Sequence, residues 1–230
     1  MEQLVFELVA PEPPVFATFV AGRNVEAVAA LERAAAGTLA ETSVVLWGPP
    51  GAGKSHLVAA AASAARSAGR PAVLCASPSE LPRSDPGPGA LVAVDDVGTA
   101  DAGAQARLFT LYNGLRERGG TLVAAADAPP ARLVLRDDVR TRLSWGLVFE
   151  IVPLADDEKP AALAAYARSR GFSLADDVIG YLLAHGRRDM RTLVATLAAL
   201  DRRSLAQKRP VTLPLLREWL QRSIDDPAPR

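Results

Sequence analysis

The sequence predicts an α/β domain, a parallel five-stranded sheet with helices on both faces, followed by a small all-α domain. Three observations predict it. Residues 48 to 55 read Gly48-Pro49-Pro50-Gly51-Ala52-Gly53-Lys54-Ser55, a complete phosphate-binding loop of the form G-x-x-x-x-G-K-S. Short apolar runs alternate with helix-forming segments as far as residue 152, the pattern of parallel strands covered on both faces. From residue 156 onward the strands cease and helical periodicity alone remains.

Taken in order, Ser43–Trp47 is an apolar run of buried-strand type, and the phosphate loop follows it directly. Residues 56–68, beginning at His56, are Ala-rich and helix-forming, which sets the loop at a helix N-terminus, where anions are favoured. Residues 72–76 form a second apolar run. The stretch 77–89 carries Pro78, Pro82, Pro86 and Pro88 and has no capacity for a long helix. Residues 89–96 read as a third strand ending in Asp95-Asp96. Residues 104–118 place Leu108, Leu111, Tyr112 and Leu115 on one helix face, and Gly119-Gly120 stops it. Thr121–Ala126 and residues 147–152 complete the sheet. Helices are expected over 156–170, 173–185, 188–206 and 213–222, with Gly171 and Gly186 as stops.

The chemistry of the loop points to a nucleoside tri- or diphosphate. Glycines let backbone N–H groups approach the phosphates, Lys54 reaches the β and γ oxygens, and the Ser55 hydroxyl ligates Mg²⁺. Asp95 at the end of its strand would hold the Mg²⁺ through water, and Asp96 would orient or polarise an attacking water. Asp127 follows the next strand and belongs beside Asp95 at the sheet edge; phosphate sensing and turn initiation are both open to it. Arg142 and Arg191, judged by spacing alone, read as surface ion-pair formers.

Composition narrows the classes. The 230 residues carry 26 basic and 26 acidic side chains, which offers no general attraction to nucleic acid or to anionic membrane. Aromatic residues are only 5%, with no basic–aromatic strip of the kind that binds single strands. Cys75 is the sole cysteine, so an intramolecular disulfide and a cysteine-based metal cluster are excluded. The first residues lack a basic region followed by an apolar one, and no apolar stretch is long enough for a bilayer, so a cytoplasmic protein is expected.

The loop, Val94-Asp95-Asp96, Ala126-Asp127-Ala128-Pro129-Pro130, Arg142-Leu143-Ser144-Trp145-Gly146 and Asp189-Met190-Arg191-Thr192-Leu193 together resemble the AAA+ module of the bacterial replication initiator DnaA. The match runs from about Phe16 to Leu220. Phe16 to Asn24 looks like the segment that opens that module and borders the adenine site. The sequence stops short of DnaA's DNA-reading helix-turn-helix domain, and the Pro-rich stretch stands where DnaA carries a longer helical insertion. It begins Met1-Glu2-Gln3-Leu4-Val5-Phe6-Glu7-Leu8, which looks like a peptide that docks in the DNA polymerase III sliding clamp (β subunit).

That combination is similar to the Hda family of DnaA regulatory inactivators. The resemblance implies a clamp-binding peptide and linker over 1–15, an AAA+ nucleotide-binding domain over 16–153 and a helical lid over 154–230. Gln3, Leu4, Phe6 and Leu8 would be the clamp anchor, Arg142 an arginine finger offered to the ATP of a neighbouring DnaA, and Arg191 the sensor of this chain's own ADP or ATP. The function implied is negative regulation of replication initiation, with weak or no ATPase of its own, although the intact Walker motifs leave hydrolysis open. A homo-oligomer is also open. The alternative reading is a loader-type ATPase similar to the helicase loader DnaC.

Overall fold

The computed structural model describes residues 14–186, 189–207 and 209–225. Five strands, β1 (Ser43–Trp47), β2 (Ala72–Cys75), β3 (Leu91–Val94), β4 (Thr121–Ala126) and β5 (Leu147–Glu150), run parallel in the order β2-β3-β4-β1-β5. The sheet is covered by α1 (Val25–Ala36), α2 (Lys54–Ser67), α3 (Ala102–Glu117) and α4 (Asp137–Ser144), and the chain continues as α5 (Lys159–Ser169), α6 (Asp176–His185), α7 (Met190–Gln207) and α8 (Leu213–Asp225). The expected α/β module with a helical lid is the observed one.

Strand alternation builds the two core layers. Val45, Val92, Val94, Leu122 and Ala124 face α3 and α4, packing with Leu108, Leu111, Tyr112, Val139 and Leu143. Their neighbours Val44, Leu46, Leu91, Ala93 and Val123 face α1 and α2, against Leu31, Leu57, Val58 and Ala61. β4 is buried along its whole length, as a central parallel strand must be; its Val123 and Ala125 lie in the layer that holds the alanines of α2, and Ala124 and Ala126 lie in the opposite one. A third core, with Leu163, Leu182, Leu193, Leu197 and Leu216 at its centre, is made by α5 to α8 among themselves.

Several boundaries differ from expectation for identifiable reasons. α2 begins at Lys54, not His56, because Gly53 with φ +100° already turns the chain into the helix. α5 begins at Lys159, after a turn in which the Glu158 carboxylate accepts from Ala155 N at 2.7 Å. Two helices are additional. α1 buries Ala27, Ala30, Leu31 and Ala34, a stripe of small residues too weakly apolar to stand out in the sequence. α4 is only eight residues long and buries Val139 and Leu143 alone, a single i, i+4 pair.

Gly146 fixes where α4 ends against the sheet: a Cβ there would collide with the Ser43 carbonyl oxygen at the start of β1. The obstacle is backbone as well as the Ser43 hydroxyl, and rotating that side chain would leave the carbonyl in place. Gly146→Ala is therefore expected to lower the unfolding free energy by about 1–3 kcal/mol, read from the midpoint of a urea melt. An unchanged midpoint would show that α4 and β1 do not meet closely at this glycine.

Candidate nucleotide-binding site

The site grows from strand register. Trp47 at the end of β1 pairs with Ala126 at the end of β4, so the phosphate loop and Asp127 leave the sheet side by side. β3 lies on the other side of β4 and delivers Asp95 and Asp96 to the same edge. Lys54 is buried, 8% exposed, and all three protons of its ammonium are taken: Nζ donates to Gly48 O at 2.7 Å, Pro49 O at 3.1 Å and Asp127 Oδ1 at 2.9 Å. Gly53 has a second reason to be glycine, since a Cβ would come within 2.7 Å of the Phe19 ring.

The acids are arranged around this lysine. Asp95 N donates to Cys75 O at 3.0 Å, and its Oδ1 accepts from Asp96 N at 3.0 Å. Asp96 has φ 51° and ψ 46°, the single non-glycine residue with positive φ among those described. Such strain concentrates at functional positions. Desolvation pushes its carboxyl above the usual range, the carboxylates of Asp127 and Asp95 push the same way, and Lys54 opposes them. Among the described residues no cluster of three or more His, Cys, Asp or Glu would hold a metal unaided. The donor set fits Mg²⁺ arriving with a phosphate, which needs few protein oxygens: the exposed Ser55 hydroxyl and the Asp95 carboxylate face the cleft.

These groups floor a cleft of about 750 Å³. Its walls are the segment from Pro14 to Asn24, residues 152–154 after β5, and Ala162, Tyr166, Met190 and Val194 from α5 and α7. The phosphate loop and acids thus lie at one side, and at the other a lid wall in which the apolar bodies of Ala162, Tyr166, Met190 and Val194 are flanked by Lys159 and Asp189, a division suited to a ligand with a polyanionic tail and a flat head. Asn24, 4% exposed, anchors the entering segment by mimicking a strand: Nδ2 donates to Val152 O at 2.9 Å and Oδ1 accepts from Val152 N at 2.8 Å. His56 does likewise for the preceding turn, its Nε2 lying 3.0 Å from Val15 O and its ring stacked on Phe19 at 5.8 Å between centroids.

The sequence-predicted residues fall into distinct places. Pro50, Gly51, Ala52, Gly53, Lys54, Ser55, His56, Asp95, Asp96 and Asp127 all line the cleft, whereas Gly48 and Pro49 are not part of its lining and serve Lys54 with their carbonyls. Arg191 is in the first turn of α7, which Asp189 caps by accepting from Thr192 N at 2.8 Å; the Arg191 side chain falls outside the described set. Gln3, Leu4, Phe6 and Leu8 lie outside the described residues. Arg142 is not part of this cleft's lining. It sits on α4, with Nε donating to Asn113 Oδ1 at 2.9 Å, Nη1 to Asp138 O at 3.0 Å, and Cζ 3.8 Å from the Phe109 ring centroid. The expected surface ion pair for Arg142 is absent among the described residues. Asn24 and the Lys54–Asp127 pair were beyond sequence reasoning, since each is made by residues 73 or more positions apart.

Burial lowers the His56 pKa, more than its bond to Val15 O raises it. As pH falls through roughly 6.5 the unfolded chain takes up this proton first, so the contribution of neutral His56 is present above that pH and lost below it. Melting temperature is expected to drop more steeply between about pH 7.5 and 5.5 in the wild type than in His56→Gln. Parallel pH profiles would show that burial of the ring carries no linkage.

Comparison with known proteins agrees with this geometry. Residues 156–220 match the family model described as the Hda lid domain. Domain III of the replication initiation protein DnaA from Thermotoga maritima superposes with TM-score 0.70 at 19% identity, over 92% of this chain and 97% of that one. AMPPCP-bound DnaA from Aquifex aeolicus gives TM-score 0.66 at 20% identity, over 85% of this chain and 66% of that one. The Holliday junction branch migration motor RuvB of Thermotoga maritima gives 0.63 at 17% identity, over 91% and 72%. At these identities the superpositions establish the AAA+ fold.

Proposed function

From the premise that this chain carries a lid of the Hda family behind an AAA+ module built like that of DnaA, we propose that it is a negative regulator of DNA replication initiation. It binds ADP or ATP with Mg²⁺, docks on the DNA-loaded sliding clamp through Gln3, Leu4, Phe6 and Leu8, and stimulates hydrolysis of DnaA-bound ATP. The observation that carries the reading is the Hda-lid match behind a complete phosphate loop. The position of Arg142 supports action in trans, since it stands on α4 away from the chain's own cleft.

In this reading the phosphate loop, Lys54 and the lid hold a nucleotide whose role is to set the relation of lid to sheet. A bound phosphate chain would displace Asp127, the exposed partner of Lys54, and keep the two loop carbonyls. On the partner, water attacks the γ-phosphorus, the bond to the bridging oxygen breaks, and ADP, inorganic phosphate and a proton leave. Arg142 neutralises charge that builds on the γ-oxygens, a contribution of roughly 10³ to 10⁵-fold for an arginine finger. The protein works in the cytoplasm, where its partners act, and its own ATPase is weak or nil.

The decisive measurement is release of phosphate from DnaA bound to radiolabelled ATP, with this protein, ADP and DNA-loaded clamp added singly and together. Clamp-dependent acceleration is expected. Arg142→Ala should reduce it by roughly 10³-fold or to background while clamp binding persists, and removal of residues 1–8 should abolish clamp binding. Full stimulation by Arg142→Ala would sink the finger assignment. Lys54→Ala should weaken binding of a fluorescent ADP analogue by at least about 30-fold, because it removes the cation beneath the phosphates.

A further inference from the structure

The guanidinium of Arg142 offers five N–H donors in a planar fork. Two are spent within the chain, Nε on the Asn113 amide oxygen at 2.9 Å and one Nη1 proton on the Asp138 carbonyl at 3.0 Å. One face of the fork is also covered, with Cζ 3.8 Å from the centroid of the Phe109 ring, inside cation–π range. Phe109 and Asn113 are i, i+4 neighbours on α3, so they share one helix face, whereas Arg142 and Asp138 come from α4. The remaining Nη1 proton and both on Nη2 have no hydrogen-bond acceptor among the described residues, and no described carboxylate forms an ion pair with the group.

This is not how a surface arginine is usually held. An ion pair consumes the fork that recognises oxyanions, whereas here the restraints are neutral and leave an open edge. A free arginine loses much rotamer freedom when it docks, and a restraint already made in the folded chain removes that loss from the encounter. An amide oxygen restrains the fork without cancelling its charge, which has to reach the γ-phosphate intact.

We propose that Asn113, assisted by Phe109, is a positioning residue for Arg142: it fixes the fork so that its open edge meets the γ-phosphate of a docked nucleotide. The inference rests on the reading of Arg142 as a finger acting in trans. Asn113 acts through the arginine, so its loss changes the rate within the docked complex, not the docking.

The test compares Asn113→Leu, Asn113→Asp, Phe109→Leu and Arg142→Ala in the full-length chain, in the same assay of DnaA-bound ATP. The maximal rate and the concentration for half-maximal stimulation are recorded separately. Asn113→Leu is expected to lower the maximal rate by about 10- to 100-fold, as for a misplaced catalytic group, with the half-maximal concentration unchanged. Phe109→Leu should move it the same way by less, and Asn113→Asp, which keeps an oxygen facing Nε but adds the negative charge that the amide avoids, should stay well below the wild-type rate. ADP affinity and melting temperature verify folding, and Asn113→Ser decides if the leucine variant unfolds. If Arg142→Ala is inactive while Asn113→Leu and Asn113→Ser keep the full rate, the positioning role is overturned and the finger stands. A change confined to the half-maximal concentration would make Asn113 a docking contact and also overturn it. Full stimulation by Arg142→Ala would remove the finger reading itself.

Discussion

An ammonium ion buried at the mouth of a sheet is tolerable only when every proton has an acceptor, and Lys54 makes that demand here. Two acceptors are carbonyls of the loop after β1, and the third is a carboxylate just past β4. Meeting the demand requires β1 and β4 to be neighbours in register, the loop to fold back over its own lysine, and α2 to start one residue after a left-handed glycine. The inner and outer holds differ in kind. The Gly48 carbonyl is shielded, whereas the Asp127 side chain is 67% exposed and carries the anionic charge, so it is the hold that would yield to an incoming anion.

The same edge concentrates negative charge. Asp95, Asp96 and Asp127 share one rim with a buried lysine, and the raised pKa of Asp96 expresses its desolvation first and then the repulsion of Asp127 and Asp95. A divalent cation entering with a phosphate would relieve that repulsion, whereas a bare polyphosphate would add to it. Binding of nucleotide and of Mg²⁺ are thereby coupled by electrostatics already present in the protein. The left-handed Asp96 backbone belongs to the same economy, since it turns the chain just where the second carboxylate must stay at the rim.

Much of this was legible because it is local. The phosphate loop, the apolar strands with their terminal acids, and the glycine-stopped helices are signals written within a dozen residues or fewer. The features that sequence reasoning missed are long-range or low in contrast. α1 hides in a run of alanines, and α4 shows only Val139 and Leu143. Asn24 is an unremarkable polar residue until Val152 arrives beside it. Spacing suggested an ion pair for Arg142, and the motif resemblance suggested a finger; neither contained Asn113 or Phe109, because the meeting of α3 and α4 is decided by the core that both helices cover.

The two bonds between Asn24 and Val152 have a mechanical meaning as well. Val152 is the point at which the chain has finished β5 and has not yet entered the lid, and both backbone groups of that residue are bolted to the segment before α1. Rotation cannot begin upstream of the bolt without breaking both bonds at once. Any swing of α5 to α8 about the sheet would therefore have to be taken up after Val152, in the stretch before α5, whose inner end is pinned to the cleft wall.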